Sequence, residues 1–198
     1  MRVLITLASL ILSVAFTNLV FALERAQGPL LKGEAMQKAA DSMWSDAGKA
    51  AWIRDGQSKH VMYVFFDPNC PFCKRVYEGA RTRVEIGDVE LRWIPIAVLM
   101  ATSPGKAAAM LEAKNPTEAL HINEREFSVA TGSFGGISEE PVPKPETETK
   151  LARNLALLRR SGMDSTPALL FRTKTGQVRF VVGAPPEPAL LSIIENLE

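Results

Sequence analysis

The 198-residue chain contains only two cysteines, and both lie in Cys70-Pro71-Phe72-Cys73, directly after the unbroken apolar run Val61–Phe66. A run without polar alternation reads as a central strand covered on both faces, and Asp67-Pro68-Asn69 stops it. A Cys-x-x-Cys pair where a buried strand turns into a helix has the layout of a thiol–disulfide redox centre. Residues i and i+3 share one side of a helical turn, so the two sulfurs can meet in a small ring. The first cysteine falls at the helix N-terminus, where unpaired N–H groups and the dipole stabilise a thiolate. Such placement lowers a thiol from about 8.5 into the range of roughly 3.5–7.5. Pro71 suits the first helical position, and Lys74 and Arg75 add positive charge. The geometry of that first turn predicts an accessible Cys70 and a buried Cys73.

Residues 1–22 stand apart: Arg2 is their only charge, and an apolar stretch leads to Val20-Phe21-Ala22. This is the pattern of a secretory signal cleaved after Ala22; the competing reading is an uncleaved anchor, which Ser13, Thr17 and Asn18 weaken. Removing that segment takes one arginine from 23 Lys+Arg, leaving 22 against 22 Asp+Glu. A formally neutral chain argues against a nucleic-acid partner. In an exported protein, two cysteines confined to one motif serve chemistry or metal rather than a structural staple.

The remainder reads as an α/β domain. Residues 23–58 are expected to be a helical linker segment, with Ala35, Ala39 and Met43 at helical spacing and Trp44 and Trp52 as packing residues. Asp55-Gly56 is read as a turn into the first strand. Residues 74–86 form the expected active-site helix, with Val76, Ala80 and Val84 inward, and residues 89–98 a second strand. A mostly helical block then runs to Arg160; Ser103-Pro104 reads as an N-cap followed by a first-turn proline, and Gly162 as a helix stop. Thr166-Pro167 precedes an apolar strand, Lys174-Thr175-Gly176 turns into another, and residues 186–197 close the chain as a helix. A parallel pair joined by a helix, then a hairpin and a last helix, is a thioredoxin-like arrangement with an inserted helical domain at about 102–161 of a catalytic domain spanning 59–198.

The residues Trp52-Ile53-Arg54-Asp55-Gly56, the block from Val64 through Lys74, Ser103-Pro104-Gly105-Lys106-Ala107-Ala108-Ala109 and Thr166-Pro167-Ala168 resemble the exported disulfide-isomerase family, its DsbG type most closely. The resemblance implies a periplasmic thiol:disulfide interchange protein of a Gram-negative bacterium. Its activity would be disulfide reduction and isomerisation on cysteine-containing proteins, with no cofactor and with reduction by a membrane electron donor of the DsbD type. It implies that Cys70 attacks, that Cys73 resolves, that Pro167 is cis, and that Thr166 tunes the thiolate and contacts substrate together with Pro71 and Phe72. Residues 23–58 are fewer than the ~50 of a small domain, so the family's N-terminal dimerisation domain is expected to be truncated and the protein a monomer. Cytosolic thioredoxins place a buried acid six residues before the first cysteine; here that residue is Val64.

Asp67 is a possible proton relay, although a turn-forming aspartate before proline is equally expected. His60 and His121 lack ligand spacing to the cysteines and are expected to face solvent, so no metal site is assigned; a soft-metal handling role survives as a rival use of Cys-x-x-Cys. A net oxidase of the DsbA type and a thioredoxin-fold chaperone would also fit this architecture.

Overall fold

Element by element, residues 34–198 of the computed structural model can be described, with side chains from Gln37 onward. Residues 1–33, with the expected signal cleavage after Ala22, lie outside the described residues. The elements are α1 (Glu34–Ala47), β1 (Ile53–Asp55), β2 (Val61–Phe66), α2 (Pro71–Glu85), β3 (Glu90–Pro95), α3 (Ser103–Glu112), α4 (Pro116–Arg125), α5 (Pro145–Arg159), β4 (Ala168–Arg172), β5 (Val178–Val182) and α6 (Glu187–Glu195).

One five-stranded sheet, ordered β1-β3-β2-β4-β5, organises them. β2 and β3 run parallel, as a strand–helix–strand crossover requires, with Val64 opposite Trp93. β4 is antiparallel to β2, with Val64 opposite Leu169, and β5 is antiparallel to β4.

The continuous apolarity of β2 now has its cause. Met62, Val64 and Phe66 face a core formed with α2, α4 and α6, whereas Tyr63 and Phe65 face a second core formed with α1 and α5. A strand covered on both faces cannot alternate. The same division runs through β3, where Leu91 and Trp93 join the first core and Ile94 the second. Trp44 packs edge-on against Tyr63 with centroids 5.0 Å apart, and Trp52 lies 4.6 Å under the Arg92 guanidinium. Both tryptophans are thus packing residues.

The segment read as linker contributes to the sheet. Ile53–Asp55 forms the edge strand β1, antiparallel to β3, and Asp55 is buried there rather than sitting in a surface turn. Gly56 follows at φ +86°, and a Cβ at this position would lie 2.7 Å from Val84 and 2.9 Å from the Val89 carbonyl, so only glycine fits. The second strand is shorter than expected, because beyond Pro95 the chain is drawn away by hydrogen bonds described below. Gly162 adopts φ +79° just after α5, as its placement predicted.

Candidate active site

Cys70 is the N-cap of α2, in extended conformation (φ −88°, ψ 112°), and Pro71 opens the helix. The helix therefore begins three residues earlier than the residue-74 start read from the sequence, which carries both cysteines into its first turn. Both are free thiols. Cys70 is 2% exposed and Cys73 0%. The expected accessibility of Cys70 is thus much narrower than the helix geometry suggested: a sliver of its surface opens outward, while Cys73 is sealed.

The two sulfurs differ strongly in acidity. The Cys73 thiol donating to Cys70, aided by Thr166 and by main-chain N–H groups of Phe72 and Cys73, outweighs burial and brings Cys70 down to about 7. Burial, and then the negative charge of its partner, push Cys73 well above the ordinary thiol value. One sulfur is set up to be a thiolate and the other to keep its proton.

Facing them, the Thr166–Pro167 bond is cis. The Cys70 Sγ donates to the Thr166 carbonyl at 3.5 Å. The Thr166 hydroxyl is buried with no partner among the described residues, leaving it free to donate to a Cys70 thiolate. Phe72 is 49% exposed with the Arg75 guanidinium 4.5 Å above its ring. Val98, Leu99 and Met100 are also solvent-facing.

Both oxygens of the Asp67 carboxylate are occupied by hydrogen-bond donors. Its Oδ1 accepts from the Asn69 N–H at 2.9 Å and the Ser103 hydroxyl at 2.8 Å. Its Oδ2 accepts from the Val98 and Leu99 N–H groups at 2.8 and 3.0 Å. Four donors occupy a fully buried carboxylate, which fixes the cysteine loop to the 98–100 turn. Asp67 reaches Cys73 only through a main-chain hydrogen bond.

Ser103 is likewise not an N-cap. Thr102 holds that position, and the Ser103 hydroxyl instead accepts from Asn69 Nδ2 at 2.9 Å and from the Met100 N–H at 3.1 Å. Lys106 extends the clasp, donating to Asn69 Oδ1 at 3.2 Å, to the Gly135 carbonyl at 2.9 Å and to the Phe134 carbonyl. His121 is not solvent-facing either: it is half-buried, with Nε2 3.0 Å from Asp55 Oδ1, because α4 packs across β1.

Two residues of the site escaped the sequence reading. Asn123 and Glu124 of α4 are fully buried, and Asn123 Nδ2 donates to the Pro68 carbonyl and to Glu124 Oε1, both at 3.0 Å. Lys74 donates to the Glu124 carbonyl at 2.8 Å and pairs with Glu78 at 3.0 Å. Burial raises the Glu124 carboxyl to about 8. A signal did exist: Glu124 follows the buried Leu120 by four residues, so it stands on the apolar stripe of its helix.

A parallel-core sheet, a helix capped by the first of two cysteines and a cis-proline opposite them define a thioredoxin-fold thiol–disulfide oxidoreductase. Residues 49–198 match the thioredoxin-like domain family. The chain is 33% identical over 176 residues to the thiol:disulfide interchange protein DsbG of Pseudomonas aeruginosa, covering 85% of this chain and 67% of that protein. The Escherichia coli DsbG is 30% identical over 178 residues, 87% of this chain and 68% of that one. In fold, the catalytic domain of Proteus mirabilis ScsC superposes with a TM-score of 0.63 at 24% identity, over 80% of this chain and 96% of that domain. The chain belongs to the thioredoxin-like family, among its DsbG-type thiol:disulfide interchange proteins, and spans about two thirds of the length of those two relatives.

Proposed function

We propose that this protein is a periplasmic disulfide reductase and isomerase acting on cysteine-containing proteins. The carrying observation is a thiol that caps α2 opposite Thr166–Pro167 with a second, sealed thiol one turn inside it, an arrangement that lowers Cys70 and raises Cys73. The Cys70 thiolate attacks one sulfur of a substrate disulfide, forming a mixed disulfide and expelling the other substrate sulfur as a thiolate. Cys73 then attacks Cys70, releasing the second substrate sulfur and leaving the Cys70–Cys73 disulfide. If a substrate thiolate attacks first, the substrate disulfide is reshuffled and Cys70 returns unchanged.

A Cys70 near 7 supports the reducing direction, since thioredoxin stands at about 7 and the oxidant DsbA at about 3.5. Thr166, Pro167 and the exposed Phe72 make the rim along which an extended substrate segment pairs. In this reading a membrane donor of the DsbD type returns the disulfide to two thiols. The protein works as a monomer, because Met43 and Ala47 of α1 are buried against the domain's own second core.

The test is trapping: Cys73→Ala should accumulate mixed disulfides with periplasmic proteins, and Cys70→Ala should accumulate none. Traps on Cys73 instead, or a measured reduction potential in the strongly oxidising range, would overturn the assignment. Light scattering on residues 23–198 checks the monomer; a stable dimer at micromolar concentration would refute it.

A further inference from the structure

Resting on the exchange chemistry above, the structure points to a proton carrier that the strand cannot supply. Val64 occupies the strand position six residues before Cys70, and it is apolar and fully buried. The Asp67 carboxylate beside the motif is filled by four donors, and a second buried acid is delivered from the helical insertion. Glu124 is 0% exposed, Asn123 orients one carboxylate oxygen, and the other, Oε2, has no partner among the described residues. An anionic carboxylate with an oxygen left bare in a closed interior is costly; a neutral one that exchanges its proton with a neighbour is not. The site is tied to the sulfurs on two sides, through Asn123 to Pro68 before the motif and through Lys74 immediately after it. The charges bearing on it are those of Cys70, Lys74 and Glu78, and Glu124 in turn bears on Cys73.

We propose that Glu124 is the proton store of this redox centre, alternating one negative charge with Cys70. In the reduced protein Cys70 is the thiolate, Glu124 is neutral and Cys73 is a thiol. When Cys70 bonds to a substrate sulfur its charge departs with the leaving thiolate, which takes the Glu124 proton and becomes a thiol. Glu124, now a carboxylate, accepts the proton of Cys73 as that sulfur attacks Cys70. The bond between Cys70 and substrate breaks, the Cys70–Cys73 disulfide forms, and the second substrate thiolate is protonated by solvent. Enzyme plus substrate carries −1 until the second substrate thiolate takes its proton from solvent, which brings the sum to 0; two electrons pass from the enzyme thiols to the substrate disulfide, and that solvent proton replaces the one Cys70 gave up in becoming a thiolate.

The experiment uses Glu124→Gln, which keeps the shape and the Asn123 hydrogen bond, with oxidised glutathione as the probe. The formation of the mixed disulfide and its resolution by Cys73 are followed separately by acid quench across pH 5–9. Resolution should slow by about tenfold or more near neutral pH, and by more than formation, whose leaving thiolate can also take its proton from solvent. Thiolate absorbance of the reduced variant should titrate in one step at lower pH than wild type, and Glu124→Asp should recover part of the resolution rate. Resolution within twofold of wild type throughout the pH range overturns the proposal, as does a Glu124→Asp variant no faster than Glu124→Gln. A wild-type protein that forms no mixed disulfide overturns the exchange reading itself, so the two failures are distinct.

Discussion

The Ser103 hydroxyl donates to Asp67 Oδ1 across 2.8 Å, joining the first helix of the insertion to the loop that carries the cysteines. Because the same carboxylate also receives three main-chain N–H groups, the pair is a hub rather than a single bond. Asp67→Ala leaves those donors buried and unmatched and should cost about 3 kcal/mol or more, with Ser103→Ala costing about 1–2 kcal/mol. Urea unfolding of the reduced proteins measures both, and a neutral Asp67→Ala would show that the loop is held by other means.

Cys70 should govern the pH dependence of thiol reactivity. Alkylation of the reduced protein should reach half its maximal rate near pH 7, set by the lowered Cys70 value, with Cys73 unlabelled in the folded state. The unfolded thiol titrates at about 8.5, so the folded value is the depressed one. Its contribution to stability is complete above about pH 8.5 and is lost as the pH falls through 7.

Glu124 works in the opposite sense. Its carboxyl is raised to about 8 in the fold against about 4.3 in an unfolded chain. It therefore imposes no penalty below pH 4 and a growing one as the pH climbs to 8. Glu124→Gln should match wild-type stability at pH 4 and exceed it by on the order of 3 kcal/mol at pH 8.5. Denaturant titrations at those two pH values decide it; a variant less stable at the higher pH would mean that the carboxylate is paired in solution.

Asp55 anchors the far end of the active-site helix. Arg81 grips it through two hydrogen bonds of 2.9 and 3.0 Å, and Trp93 Nε1 and His121 converge on the same carboxylate. Asp55→Ala strands a half-buried guanidinium and should cost about 3–5 kcal/mol. Asp55→Asn, which keeps one acceptor, should cost less. Thermal unfolding of the two variants orders them.

The parts of this protein that are local in the chain could be read from it directly. Val61–Phe66 and the Cys-x-x-Cys turn are set by a few neighbouring residues, and the hydrophobic stripe of α2 follows a simple period. What escaped depends on distant partners. β1 is three residues long with an exposed arginine at its centre, and only pairing with β3 makes it a strand. Asp67 looked like a turn residue with a chance role at sulfur because its amide partners lie 31 and 32 residues further on. Glu124 resembled any charged helix residue until Pro68 and Gly135 closed over Asn123. At Gly135 (φ +76°) even a single methyl group would collide with both.

For protein engineering, the lysine clasp sets a practical boundary on this scaffold. Lys106 holds Asn69 with one end of its ammonium and the Phe134 and Gly135 carbonyls with the rest, so α3, the 134–135 loop and the residue before Cys70 behave as one assembled part. Trimming the insertion to obtain a minimal redox module would remove the fastening of the cysteine loop along with the excess length. A transplant that carries this chemistry elsewhere has to take residues 67–74, 98–106 and 123–135 together.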